Sequence, residues 1–175
     1  MNVNTAAVLT ISDSGFNGTR KDLSGPAIVR ELAAAGFQVT LTAIIPDERE
    51  QIQQNLLDCC RQVRLVVTVG GTGIATRDVT PEATLSVAER LIEGVPERMR
   101  VAGAAKTPLA ALSRGLCAVR GQSLILNLPG SPKAALESLQ AVLEILPHAL
   151  ELLSGNTEHR EEVTGYRLQG KDDRE

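Results

Sequence analysis

Two short runs constrain this chain more than any other feature: LVVTV at 65–69 and LILNL at 124–128. Each is apolar almost throughout, so neither alternates as a strand with one wet face would. Each stops abruptly in turn-forming residues, GGTG at 70–73 and PGSP at 129–132. Runs of this kind fit strands buried on both faces, in the middle of a parallel sheet covered by helices.

The rest of the chain supplies the partners. Strand-like runs occupy 6–12 and 37–45, and helix-like runs occupy 24–35, 47–62 and 80–93. Ser24 and Pro26 suit a helix start and Gly36 a stop. The acids of P-D-E-R-E crowd the start of the 47–62 helix, where the helix dipole favours them. An Ala-rich helical stretch spans 96–116 with a break near Thr107-Pro108, and a long helix runs from Pro132 to about Leu153 with a bend at Pro147. Gly15, Asn17 and Gly18 mark 13–21 as a loop. Alternating strands and helices predict an α/β sandwich with a mainly parallel sheet. One domain over 1–155 and a C-terminal tail at 156–175 account for the 175 residues.

Such a core must be aliphatic, because aromatics are only 2% of the chain and Trp is absent. A net charge of -3 with no basic block argues against nucleic acid and anionic membranes as partners. Cys59, Cys60 and Cys117 make a poor disulfide set, and the adjacent pair sits in a helical run where buried packing is expected. His148 and His159 lack metal-ligand spacing, and MNVNTAAVLTISDSG lacks the form of a signal peptide, so a reducing cytoplasm is the expected setting.

In this architecture ligands sit beyond the carboxyl ends of the strands. Four polar segments fall there: Ser12-Asp13-Ser14, Asp47, Gly70-Gly71-Thr72-Gly73, and Gly130-Ser131-Pro132. GGTG can turn its N–H groups onto one anion, with help from the helix starting at Thr80-Pro81, or it can be a sharp turn and nothing more. Its spacing fits neither a dinucleotide fingerprint nor a P-loop, and the near match at 165–172 lies in the tail. Asp47 and Asp78 can hold Mg²⁺ against phosphate oxygens, or each can cap a helix or turn; Asp78 can also pair with Arg77. Arg114 can grip a phosphate through two donors or remain solvated. Asp13 can cap a turn or meet a ligand. Ser131 caps the last helix with Pro132 in its first turn, which does not exclude ligand contact.

Taken in order, these segments resemble the molybdenum cofactor biosynthesis family of the MogA/MoaB type. The resemblance rests on G-G-T-G-I-A-T-R-D-V-T-P-E-A at 70–83, L-S-R at 112–114, Arg120-Gly121, L-I-L-N-L-P-G-S-P at 124–132, D-L-S-G-P at 22–26 and P-D-E at 46–48. The R-D-V-T-P form, with Asp78, looks more like the MogA branch, the molybdopterin adenylyltransferases. Val69 stands where Thr is the family's habit. The resemblance implies a three-layer α/β/α sandwich, commonly a homotrimer, and transfer of AMP from MgATP to molybdopterin with release of pyrophosphate. It implies Asp47 and Asp78 as catalytic acids that hold Mg²⁺, Ser113 as a pterin contact, and Ser12, Asp13, Ser14, Gly70, Gly71, Thr72, Gly73, Thr80, Arg114, Gly130, Ser131 and Pro132 as substrate contacts. A hand-off to a molybdenum-insertion enzyme also follows from it. The competing readings are a MoaB-like pterin or nucleotide binder without chemistry, a related enzyme that cleaves pyrophosphate bonds without pterin, and a structural oligomer.

Overall fold

Six strands, β1 (Thr5–Ile11), β2 (Gln38–Ile45), β3 (Leu65–Val69), β4 (Arg90–Leu91), β5 (Cys117–Arg120) and β6 (Ser123–Leu128), form one sheet in the order β2-β1-β3-β6-β5-β4. The structure, a computed structural model, describes residues 4–155; the tail reading and the 165–172 near match lie outside the described residues. β2, β1, β3 and β6 run parallel, and β5 runs antiparallel to both of its neighbours. Every residue of β3 and β6 is buried, as runs apolar almost throughout require.

Alternation along the strands sorts the core into two halves. Ala6, Val8, Leu65, Val67, Leu124 and Leu126 face α2 (Ser24–Ala34), α5 (Gly94–Ala104), α6 (Pro132–Val142) and α7 (Leu146–Leu153). Ala7, Leu9, Val66 and Ile125 face α3 (Arg49–Cys60) and α4 (Thr80–Val87). The result is a three-layer α/β/α sandwich with an aliphatic core. Asn127, fully buried on the second face, donates to the Thr68 and Thr84 hydroxyls at 2.9 Å and accepts from the Leu116 N–H. It ties β6 to β3 and α4 without leaving an orphaned polar atom.

Several local expectations are corrected. Ser24 does not cap α2: Asp22 Oδ1 accepts from the Ser24 and Gly25 N–H groups, and the Ser24 hydroxyl instead donates to the Gly130 carbonyl at 2.7 Å. The loop at 13–21 opens with a short helix, α1 (Asp13–Phe16), capped by Ser12. The 80–93 helix ends at Val87, because the chain turns extended at Ala88 to enter β4. The Ala-rich stretch ends its helix at Ala104, resumes as a 3-10 helix at Pro108–Leu112, and then supplies β5. The break expected at Pro147 is present: the final helix is interrupted at Leu143–Ile145, directly before Pro147 opens α7. No helix among the described residues is long and apolar enough to cross a membrane.

Candidate active site

The sheet reverses its winding between β1 and β3, and the strand ends on either side of that point open a crevice. β3 runs straight into Gly70 and Gly71, whose φ values of +113° and +62° turn the chain back over the sheet. The turn is anchored by Gly70 N–H to the Leu128 carbonyl, Thr80 N–H to the Gly71 carbonyl, and the Thr80 hydroxyl to the Gly70 carbonyl at 3.0 Å. Among the described residues, the N–H groups of Gly71, Thr72 and Gly73 find no acceptor, although Thr72 is buried. A cluster of unmatched backbone donors at a strand end suits an anion.

Two clefts meet at this turn. A polar one of about 370 Å³ is lined by Ser12, Arg20, Lys21, Asp22, Ser24, Asp47, Gly70 and Pro132. A more apolar one of about 490 Å³ is lined by Thr72, Gly73, Met99, Arg100, Leu109, Leu112, Ser113 and Glu137. Gly71, Asp78, Gly130 and Ser131 border both. Among the expected site residues, Asp13, Ser14, Thr80 and Arg114 line neither cleft.

Their bonds show what they do there. Asp13 and Asp47 exchange bonds: the Asp13 N–H donates to Asp47 Oδ2 at 2.8 Å and the Asp47 N–H to Asp13 Oδ1 at 3.0 Å. Asp47 therefore does not cap α3. Arg77 pairs not with Asp78 but with Asp13 at 2.8 Å and Glu48 at 2.9 Å. Arg114 donates to the carbonyls of Gly73 and Asp78, both at 2.6 Å, and pairs with Glu82. Two arginines thus hold the 73–78 loop from opposite sides and fix where Asp78 sits. Asp78 itself accepts from the Ala75 N–H at 2.8 Å, which closes the loop. Ser131 caps α6, accepting from the Ala134 N–H.

The two acids of the Asp13–Asp47 pair titrate in opposite directions. The Asp47 N–H and then Arg77 hold Asp13 below the ordinary carboxylate range. Burial, and then the negative charges of Asp13 and Asp78, push Asp47 above its ordinary 3.8. The folded chain therefore binds the Asp47 proton more tightly than the unfolded chain does. For this group, stability is fully present below 3.8 and is lost as pH rises through the raised folded value. Asp47→Asn is accordingly expected to unfold at higher denaturant than the parent at neutral pH, with the gap closing as pH falls through that titration. A variant less stable than the parent at neutral pH contradicts this account.

No group of three or more His, Cys, Asp or Glu side chains that could hold a metal occurs among the described residues. Mg²⁺ does not need one. It keeps several waters and binds through one or two carboxylates together with substrate phosphates. Asp47 and Asp78, close enough for the charge of one to raise the pKa of the other, fit that pattern. The cysteines offer no competing chemistry: burial pushes Cys59 and Cys60 up to about 11 and Cys117 to about 12.

A sheet with its crevice at the reversal of winding, rimmed by glycine donors and two carboxylates, is an α/β fold suited to a phosphate-bearing ligand, and comparison narrows the class. Residues 7–148 match the family described as "probable molybdopterin binding domain", and the chain belongs to that family. The molybdopterin adenylyltransferase of Helicobacter pylori strain J99 is 42% identical over 154 residues, covering 85% of this chain and 87% of its own. The molybdenum cofactor synthesis protein cinnamon of Drosophila melanogaster is 44% identical over 153 residues, but this chain spans only 25% of its length. Among solved structures, the molybdopterin biosynthesis enzyme MoaB of Thermus thermophilus superposes with a TM-score of 0.82 at 50% identity, covering 86% of this chain and 96% of its own.

Proposed function

We propose that this chain is a molybdopterin adenylyltransferase: it transfers AMP from ATP to the terminal phosphate of molybdopterin and releases pyrophosphate. The observation that carries the reading is the shared border of the two clefts, where Asp78 and the glycine turn with its unmatched N–H groups line both. A phosphate oxygen of molybdopterin forms a new bond to the α-phosphorus of ATP. The bond from that phosphorus to the bridging oxygen breaks, and pyrophosphate leaves with the electron pair. The attacking phosphate is already largely ionised near neutral pH, so no strong general base is required. The difficulty is to bring two anions together, and positioning with charge neutralisation overcomes it.

The residues divide that work. Ser113 and the apolar cleft hold the pterin. Gly71, Thr72 and Gly73 turn their N–H groups to the reacting phosphates. Asp47 and Asp78 would hold Mg²⁺, which when bound neutralises phosphate charge. Arg77 and Arg114 keep the Asp78 loop in place, so Arg114 acts on the substrate through that loop. A homotrimer in the cytoplasm, passing its product to a molybdenum-insertion enzyme, completes the reading. Exposed apolar side chains away from both clefts, such as Leu85 and Val101, offer surface for the assembly.

Label at the α-phosphorus of ATP should move to molybdopterin in the presence of Mg²⁺. Ser113→Ala should raise the KM for molybdopterin roughly tenfold, the effect of about one lost hydrogen bond, and leave the KM for ATP within about twofold. Equal losses for both substrates contradict the assignment of Ser113 to the pterin. The competing reading is a pterin binder without transfer. The presence of both acids weighs against it.

A further inference from the structure

The lining of the polar cleft includes two cations, Arg20 and Lys21. Neither side chain makes an ion pair or hydrogen bond among the described residues. The neighbouring cations are committed: Arg77 to Asp13 and Glu48, Arg114 to Glu82 and two carbonyls. An unpaired cation on a surface loop is ordinarily just solvated, but this loop is pinned at both ends. The Thr19 and Arg20 N–H groups donate to the Ser14 carbonyl at 3.0 and 3.1 Å. One residue past Lys21, Asp22 is locked by the Thr10 hydroxyl at 2.7 Å and by the first two N–H groups of α2. The cations are therefore presented at the cleft by an anchored backbone.

Charge gives them a task. Asp22, Asp47 and Asp78 all line this cleft, and alone they would repel a polyphosphate. Geometry says which phosphates arrive. In phosphoryl transfer the attacking and leaving oxygens lie roughly in line through the reacting phosphorus. With the pterin in the apolar cleft, its phosphate reaches the shared border at Gly71 and Asp78, and the leaving group departs away from that cleft, into the polar one.

We propose that Arg20 and Lys21 hold the β- and γ-phosphates of the nucleotide and the pyrophosphate they become. They bind the leaving group on the side of the reacting phosphorus opposite the pterin. The inference rests on the adenylyl-transfer reading, and the two fail separately.

The test is calorimetric titration of the whole chain with magnesium pyrophosphate, without pterin, for the wild type and Arg20→Ala/Lys21→Ala. The expected result is a ten- to hundredfold loss of pyrophosphate affinity in the double variant, on the order expected for losing charge-assisted bonds. The salt dependence of binding should also flatten. In turnover, the KM for ATP and the inhibition constant for pyrophosphate should rise together, while the KM for molybdopterin stays put. Arg20→Lys/Lys21→Arg should restore most of the affinity. Arg90→Ala, which removes a charge from the far edge strand, should change nothing. Equal pyrophosphate affinity in wild type and double variant, or no pyrophosphate binding by the wild type, overturns the inference. A wild type that transfers AMP while the double variant keeps the same KM for ATP overturns it too and leaves the adenylyl-transfer reading standing. A wild type that transfers no AMP to molybdopterin overturns that reading instead.

Discussion

Asp78→Asn should lower AMP transfer to molybdopterin about a hundredfold or more and leave the unfolding transition nearly unchanged. The side-chain oxygen that accepts from the Ala75 N–H is kept in the amide, so the 73–78 loop can still close. Arg114 holds the same loop through the Asp78 carbonyl, which the substitution does not touch. Only the charge goes. If Asp78 helps hold Mg²⁺ against the phosphates, losing that charge removes several kcal/mol of transition-state stabilisation, roughly the scale of one well-placed electrostatic group. Steady-state transfer rates beside a denaturant curve separate the two effects. Turnover within about threefold of wild type would contradict a metal-holding role, and a collapsed transition would show that Asp78 serves the loop first.

Gly71→Ala should damage fold and function together. At φ +62° an L-residue is disfavoured by roughly 1–2 kcal/mol. The new Cβ would also run into the Thr80 hydroxyl and stand 3.2 Å from Asp47 Oδ1. Thr80 is buried and spends its hydroxyl on the Gly70 carbonyl, so it cannot move aside without orphaning a polar group. A loss of about 3 kcal/mol or more in denaturant unfolding is expected, with ATP binding weakened at least tenfold because the donors of the turn shift. Wild-type stability in this variant would mean that the turn is looser than its φ values and contacts describe.

The layers of the fold were legible because β3 and β6 are buried on both faces and have no polar alternation to confuse them. β5 was not, although Gly121 and Gln122 form a two-residue turn into β6 that marks a hairpin. Four residues are too few for a period, and the two of β4 fewer still. Ser24 looked like a cap because local sequence rewards it as one. Its partner is the Gly130 carbonyl, over a hundred positions away, and nothing local announces that bond. Arg114 is similar: the residue was conspicuous, but its commitment to Gly73, Asp78 and Glu82 depends on tertiary packing. Arg20 and Lys21 give no signal in the sequence for the opposite reason. Cations in a glycine-bearing loop are usually solvated, and only the packing of that loop beside the end of β1 and the start of α2 sets them on a cleft wall. The rim segments themselves were readable, because turn-rich residues at strand ends are where this architecture places ligands.

The central claim is that the two clefts together carry out transfer and do more than hold a pterin. Pyrophosphate release by the purified chain, with molybdopterin and MgATP each present or omitted, tests it most directly. The account predicts release that requires both substrates and Mg²⁺ and that matches the adenylylated molybdopterin formed. Tight molybdopterin binding without pyrophosphate release would contradict it and leave a binding protein in its place.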